Sequence, residues 1–196
     1  MAGLQKAKSE ETHRRVLEAA ISAVEAGGLD AVNIRKIAAE AGYSVGSVYK
    51  HYADQDELLL AVNSVTLGRI RERMSEALEG SVDPMFQMKV LAQTYLDFAR
   101  ENRNLWTTLF AHRLPEGKAV PEEHILENIA LLEFIAVPLK ALNPELEGDV
   151  LAARTRTCFA AVHGLVTIGL EARFVGLSGE EMDREMMFLV ERVSGM

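Results

Sequence analysis

Small and hydrogen-bonding side chains follow one another over residues 44–52 in a pattern that suits contact with a DNA groove. Ser47 can donate or accept a hydrogen bond at a base edge, and Val45 can contact a thymine methyl group. One helical turn later come a phenol, an ammonium and an imidazole group, which suit phosphate contacts. These three groups belong to Tyr49, Lys50 and His51.

Residues 33–52 must form two short helices with a tight turn between them if these side chains are to be presented together. Gly42 suits the sharp turn that ends the first helix, and Ser44 is a good N-cap for a second helix over 45–51. This is helix-turn-helix spacing. Spacing alone leaves a tight helical hairpin without any DNA contact as an equal alternative.

From residue 12 to about residue 59 the chain resembles the DNA-binding domain of the tetracycline-repressor (TetR) family of bacterial regulators. The resemblance covers about a quarter of the chain, and its pieces keep their order and spacing. The matching pieces are residues 16–20 (VLEAA), 26–28 (AGG), 34–38 (IRKIA), 41–44 (AGYS), 46–52 (GSVYKHY) and 57–58 (EL).

The resemblance implies a role for each side chain of the motif. The residues that face the groove would be Ser44, Val45, Ser47 and Lys50. Tyr49 and His51 would clamp the DNA backbone, and Val48 and Tyr52 would face inward. Asn33 would reach a phosphate through its backbone amide, with Arg35 as an additional candidate. Family members often have Lys in place of Val45 and Gln55, so this chain has fewer cations for phosphate than is usual.

The net charge of −8 does not contradict this interpretation. Residues 1–55 hold seven positive and seven negative groups, so residues 56–196 carry the whole net charge. Lys6, Lys8, Arg14 and Arg15 could compensate for the missing lysines. We expect few cations at the DNA and an acidic remainder that disfavours nonspecific adhesion to it.

Apolar residues recur with a helical period along nearly the whole chain, which predicts an all-α fold of about nine helices. The eighth is expected to run to Phe174. We expect residues 1–55 to be the DNA-binding domain and residues 56–196 a second helical domain. The apolar runs are too short for a membrane span, and no signal peptide is visible, so a cytoplasmic protein is expected.

The resemblance implies that the second domain binds a ligand and forms a homodimer. The aromatic candidates for an apolar pocket are Phe86, Tyr95, Phe98, Trp106, Phe110 and Phe134. For any one of them, plain core packing is the more common role. The segment 159–164 is similar to a Trp-x-x-x-His-Gly signature of one group of these domains, with Phe159 in place of Trp. His163 is a further ligand candidate, although a hydrogen-bonded core histidine is the commoner case.

The sequence thus predicts a regulator, with repression favoured over activation, that binds palindromic double-stranded DNA and a small hydrophobic or aromatic effector. The apolar faces of the eighth and ninth helices suit a symmetric dimer interface. No enzyme, cofactor or metal site is expected, because the chain has no P-loop, G-x-S-x-G, C-x-x-C or G-x-G-x-x-G motif. A metal site at Glu122, Glu123, His124 and Glu127, and a helical adaptor that binds only protein, are the weaker alternatives.

Overall fold

The computed structural model describes residues 2–171, 176–177 and 179–195, and these residues form helices and connecting loops without any strand. The helices are α1 (Ala2–Gly27), α2 (Ile34–Ala41), α3 (Val45–Val48), α4 (Gln55–Ala77), α5 (Pro84–Glu101), α6 (Arg103–Ala111), α7 (Glu122–Leu142), α8 (Gly148–Glu171) and α9 (Gly179–Ser194). A short 3₁₀ turn at Leu29–Ala31 joins α1 to α2. The predicted all-α fold is confirmed.

The structure bears on two predicted helix ends. The second helix of the motif was expected over 45–51, but α3 ends at Val48. The backbone tightens there, because the N–H of His51 donates to Val48 three residues back, at 2.9 Å. The predicted end of the eighth helix at Phe174 lies outside the described residues.

The first of two compact units, unit 1, comprises Met1–Thr66 and Asn102–His124. Its core joins α1, α2, α3, the first part of α4 and α6. The fully buried members are Val16, Ala20, Val24, Ile37, Ala38, Val48, Leu58, Val62 and Leu105. Asn104 on α6 donates its side-chain N–H to the Glu25 carbonyl of α1 at 2.8 Å. The first three helices are therefore held by elements that come much later in the chain.

The second compact unit, unit 2, comprises Leu67–Glu101 and Ile125–Met196. Phe98 and Leu96 on α5 are buried in it, together with Met186 and Val190 on α9. Ion pairs from Lys89 to Glu191 and from Arg100 to Asp183 also join α5 to α9. The predicted functional boundary after residue 55 stays a prediction. Among the described helices, none is long and apolar enough to cross a membrane.

Candidate nucleic-acid interface and ligand cavity

The start of α2 is capped by the side chain of Asn33. Its Oδ1 accepts hydrogen bonds from the backbone N–H groups of Arg35 at 3.0 Å and Lys36 at 3.2 Å. Cap residues of this type satisfy the free donors of a helix start. Asn33 and both cations are exposed. The structure therefore gives Asn33 a capping role, and the predicted phosphate contact of its backbone amide stays a prediction.

The turn between α2 and α3 has the geometry that the sequence predicts. Gly42 has φ 79° and ψ 28°, a left-handed conformation that strains other residues. Ser44 then caps α3, because its Oγ accepts the Ser47 N–H at 3.2 Å. The two serine hydroxyls are 2.9 Å apart. The predicted turn and cap are confirmed, and they fix the direction in which α3 leaves α2.

The inner face of α3 is fixed against the core of unit 1. Val48 is fully buried, and Tyr52 just beyond the helix is 3% exposed, so both predicted inward residues are confirmed. The Tyr52 hydroxyl lies 3.0 Å from Nε2 of His13, and the two rings are stacked. Burial raises the pKa of Tyr52 to about 12, with a smaller effect from the charge of Glu57. Tyr52 is therefore neutral at physiological pH and ties the end of the motif to α1.

The outer face of α3 presents the polar groups that the sequence singled out. Ser44, Tyr49 and Lys50 are exposed, with Tyr49 at 51%. Ser47 and His51 are half-buried. Val45 is also half-buried and packs against the core of unit 1, which limits how far it can reach toward a base. The hydroxyls, the phenol and the ammonium group thus belong to α3 or to the residues directly flanking it, and α3 itself is fixed to the core through Val48.

Some cations of unit 1 already form ion pairs with carboxylates, and others do not. Among the described residues, neither Arg35 nor Lys50 has an ion-pair partner, so phosphate contact would not require an existing pair to break. Arg14 donates to Glu11 and Glu18 on its own helix, and hydrogen bonds to these carboxylates raise its pKa. Arg14 is therefore a poorer source of the expected compensating charge than Arg35 or Lys50.

Unit 2 contains a cavity of about 430 Å³, counting its open mouth. Five helices contribute to its wall. The lining residues are Met74, Met88, Leu91, Ala92, Tyr95, Ile135, Cys158, Phe159, Val162, Val190, Val193 and Ser194. Ligand sites in proteins are commonly lined by apolar side chains with a few polar groups among them. The lining of this cavity therefore suits a small apolar molecule.

The seven residues predicted to contact a ligand lie in different parts of the structure. Tyr95 lines the cavity, and Nδ1 of His163 lies 2.8 Å from its hydroxyl oxygen. Phe98 is buried in unit 2 outside the lining, with the Arg73 guanidinium 5.3 Å from its ring centroid. Phe134 on α7 is half-buried, and Phe86 on α5 is 53% exposed.

The remaining two predicted residues, Trp106 and Phe110, lie on α6 in unit 1, with their ring centroids 5.3 Å apart. None of the seven assignments as ligand contacts is tested by these positions, and they stay predictions. The aliphatic lining was not predicted. Its signal was nevertheless present on α5, where Met88, Leu91 and Tyr95 recur with helical spacing on one face.

The Phe-x-x-x-His segment of α8 forms a small aromatic group beside the cavity. The Phe159 ring stacks on His163, with centroids 5.5 Å apart, and meets Tyr95 edge-on at 5.9 Å. Burial lowers the pKa of His163, which favours the neutral imidazole. His163 is thus a hydrogen-bonded histidine, the alternative that the sequence favoured.

Cys158 is 2% exposed, and its Sγ lies 3.4 Å from the Val193 carbonyl oxygen. Burial raises the pKa of this thiol, so it is a poor nucleophile. In the part of the chain that the structure describes, no group of three or more His, Cys, Asp or Glu side chains could hold a metal ion. His124, a member of the weak metal alternative, instead lies 3.2 Å from the Ser64 hydroxyl through its Nδ1.

Two family models match the chain. The model described as "Bacterial regulatory proteins, tetR family" matches residues 16–62, which include α2 and α3. The model described as "Tetracyclin repressor-like, C-terminal domain" matches residues 88–193, which include most of unit 2. Together they cover the nucleic-acid motif and all of the cavity's lining residues except Met74 and Ser194.

Solved structures share the fold at low sequence identity. A protein with unknown function from Rhodococcus sp. RHA1 is 21% identical, with a TM-score of 0.76 over 94% of this chain and 96% of that chain. RolR in complex with resorcinol is 18% identical, with a TM-score of 0.71 over 96% and 90%. FadR from Bacillus subtilis in complex with stearoyl-CoA is 14% identical, with a TM-score of 0.64 over 92% and 97%.

Proposed function

The chain belongs to the tetR family of bacterial regulatory proteins, and from this premise we propose that it is a homodimeric repressor of transcription. It acts in the cytoplasm and binds a palindromic double-stranded DNA operator. A small apolar ligand in the cavity of unit 2 releases it from that operator. The observation that carries the proposal is α3, which is buried at Val48 and flanked by the exposed residues Ser44, Tyr49 and Lys50.

The roles of the DNA-contacting side chains follow from their chemistry and exposure. The exposed ammonium of Lys50 can bond the acceptor atoms of guanine in the major groove. Tyr49 through its hydroxyl and His51 through a ring N–H can each donate a hydrogen bond to a phosphate oxygen. Ser47 reads a base edge or a phosphate, depending on which of the two serine hydroxyls donates to the other. Arg35, at the start of α2, neutralises a phosphate beside the groove.

A dimer is supported by apolar side chains that unit 2 leaves in solvent. Val150 and Ile168 on α8 are 60% and 50% exposed, and Phe188 on α9 is 53% exposed. Gly164 on α8 has open space where a Cβ would lie, which leaves room for a closely packed second helix. Two recognition helices are needed to read two half-sites about one DNA turn apart. A symmetric dimer through α8 and α9 provides them.

The dimer has a direct test in light scattering coupled to gel filtration. Ile168→Glu with Phe188→Glu should give a monomer, because two carboxylates would be buried on each side of the interface. The matched control is Val82→Glu, since Val82 is 90% exposed in the loop before α5. A monomeric wild-type chain, or a double variant that stays dimeric, contradicts this interface.

Ligand release is supported by the cavity and by the ligands bound in two solved structures that share this fold. RolR and FadR, which share this fold, were solved with resorcinol and with stearoyl-CoA. A ligand lowers DNA affinity only if it binds the conformation with the wrong spacing of recognition helices more tightly than the DNA-binding one. We assign the binding site of this ligand to the cavity in unit 2.

Gel-shift titration with the DNA beside the chain's own gene tests the function. Wild-type protein should give a specific shifted band at low salt, and Tyr49→Ala should abolish it. Phe86→Ala is the matched control, because Phe86 is exposed to a similar degree but lies on α5 in unit 2. A wild-type protein without a specific shift would refute the DNA-binding function.

A further inference from the structure

Ser194 is a buried hydroxyl in the wall of the cavity. It lies at the end of α9, is 1% exposed and is one of the lining residues. Its Oγ has no hydrogen-bond partner among the residues that the structure describes. Buried polar groups are nearly always hydrogen-bonded, because an unpaired one loses its hydration without compensation. Ser194 therefore has an unused capacity to donate and to accept at the surface of an apolar space.

The backbone around Ser194 is held in place by other helices. The side-chain N–H of Asn143, a residue at the end of α7 that is 4% exposed, donates to the Ser194 carbonyl at 2.8 Å. Asn143 also donates to the Leu139 carbonyl at 3.1 Å. Cys158 on α8 lies 3.4 Å through its Sγ from the Val193 carbonyl. The backbone at the end of α9, which carries the Ser194 side chain, is thus fixed from two sides.

The rest of the lining offers no charge to a ligand. Among the described residues, every side chain in the wall is uncharged at neutral pH. The hydroxyl of Tyr95 is already engaged with His163, whose burial lowers its pKa and keeps it neutral. A carboxylate or an ammonium group in this space would lose its hydration without gaining a counter-charge. The cavity therefore selects against ions.

We propose that Ser194 sets ligand specificity, and that the cavity takes an uncharged molecule with an apolar body and one hydroxyl or carbonyl group bonded to Ser194 Oγ. The inference rests on the proposed function, which assigns the effector to this cavity, and it specifies the chemical class of that effector. Primary alcohols, phenols, ketones and esters belong to this class. Free fatty acids and amines do not.

Isothermal titration calorimetry of the full chain with three eight-carbon probes tests the inference. 1-Octanol has the polar group, 1-chlorooctane has a similar shape with no donor, and octanoate has a charge. At pH 7 the wild-type chain should bind 1-octanol at least tenfold more tightly than octanoate. Ser194→Ala should weaken 1-octanol binding five- to tenfold and change 1-chlorooctane binding less than twofold.

Thr155→Val is the matched control. Thr155 on α8 is 3% exposed, but its hydroxyl donates to the Leu151 carbonyl at 2.9 Å and does not line the cavity. Removal of the Thr155 hydroxyl should leave 1-octanol binding unchanged. Ser194→Ala should also melt at or above the wild-type temperature, because it removes no hydrogen bond within the protein. Differential scanning calorimetry would show whether it folds.

The outcomes separate this inference from the function on which it rests. If 1-octanol binds but Ser194→Ala does not weaken it, or if octanoate binds as tightly, the Ser194 inference is wrong and the apolar effector site stands. If none of the three probes binds the wild-type chain, both the effector site and the Ser194 inference are overturned. A gel shift in that same sample would leave the DNA-binding function intact.

Discussion

Unit 1 buries the inner face of α3 completely at Val48, whereas unit 2 keeps a cavity of about 430 Å³, counting its open mouth, among its helices. In unit 1 the polar side chains of Ser44, Tyr49 and Lys50 are exposed beside this tightly packed support. In the wall of that cavity the polar groups are few, and the hydroxyls of Tyr95 and Ser194 lie among apolar side chains. The first arrangement suits a large, charged partner, and the second suits a small, uncharged one.

The difference follows from what each partner requires. Reading bases needs side chains held on a rigid element, since small displacements lose directional hydrogen bonds. Binding an apolar molecule needs space that the protein does not fill itself, and empty space forfeits packing contacts. We therefore expect substitutions in unit 1 to act on DNA affinity and substitutions around the cavity to act on ligand response.

The largest expected effect comes from a charge placed in either core. Val48→Asp and Leu96→Asp each bury an unpaired carboxylate at a fully buried position, which should cost about 3–5 kcal/mol of folding free energy. Val48→Asp should abolish the gel shift and retain 1-octanol binding, and Leu96→Asp should abolish 1-octanol binding. Loss of probe binding in Val48→Asp as well would break the comparison between the units.

Lys50→Ala should have the next largest effect. If Lys50 reads a base, its loss should weaken operator binding by about 1–3 kcal/mol and relax specificity at one base-pair position. Fluorescence anisotropy with a set of single-base operator variants measures this. Lys36→Ala, which removes another exposed cation, should weaken all variants equally. A uniform loss in Lys50→Ala with a shallower salt dependence would place Lys50 on a phosphate instead.

Ser44→Ala should have a moderate effect. It removes the cap of α3 and the contact with the Ser47 hydroxyl, and such caps contribute about 1 kcal/mol. Thermal unfolding should show the loss, and operator affinity should fall with it. Ser44→Asn, which can also cap a helix, should restore the melting temperature. If Ser44→Ala melts like wild type, the cap contributes nothing to the stability of unit 1.

The smallest effect is expected from the acid titration of His163. Its pKa is lowered in the folded chain, so below pH 6.5 the unfolded chain binds a proton that the folded chain does not. The free energy of unfolding should therefore fall as the pH drops below 6.5. Denaturant titrations should show a shallower fall in His163→Gln. Identical pH profiles for the two proteins would mean that His163 titrates normally.

The fold and the nucleic-acid motif were predictable because their signals are local. Gly42, Ser44 and Val48 lie within seven residues, and each follows a rule of turns, caps or helical spacing. The early end of α3 was not predictable from that pattern. It depends on the hydrogen bond from the His51 N–H to the Val48 carbonyl, and no residue type in this segment predicts that bond.

The cavity was much less predictable, because its wall comes from five helices that are far apart in sequence. Aromatic content alone does not say which core a side chain joins. Trp106 and Tyr95 looked equally suitable, yet Tyr95 lines the cavity and Trp106 lies in unit 1. Ser194 has no motif around it, and its unpaired hydroxyl is visible only once α7, α8 and α9 are packed together.

Selection of bound DNA from a library of random duplexes tests the central claim most directly. The account predicts that the wild-type chain enriches a palindrome with half-sites about one helical turn apart. It also predicts that Tyr49→Ala enriches nothing, and that Phe86→Ala enriches the same palindrome. A wild-type selection that yields no common sequence, or a Tyr49→Ala selection that yields the wild-type palindrome, would contradict DNA recognition through α3.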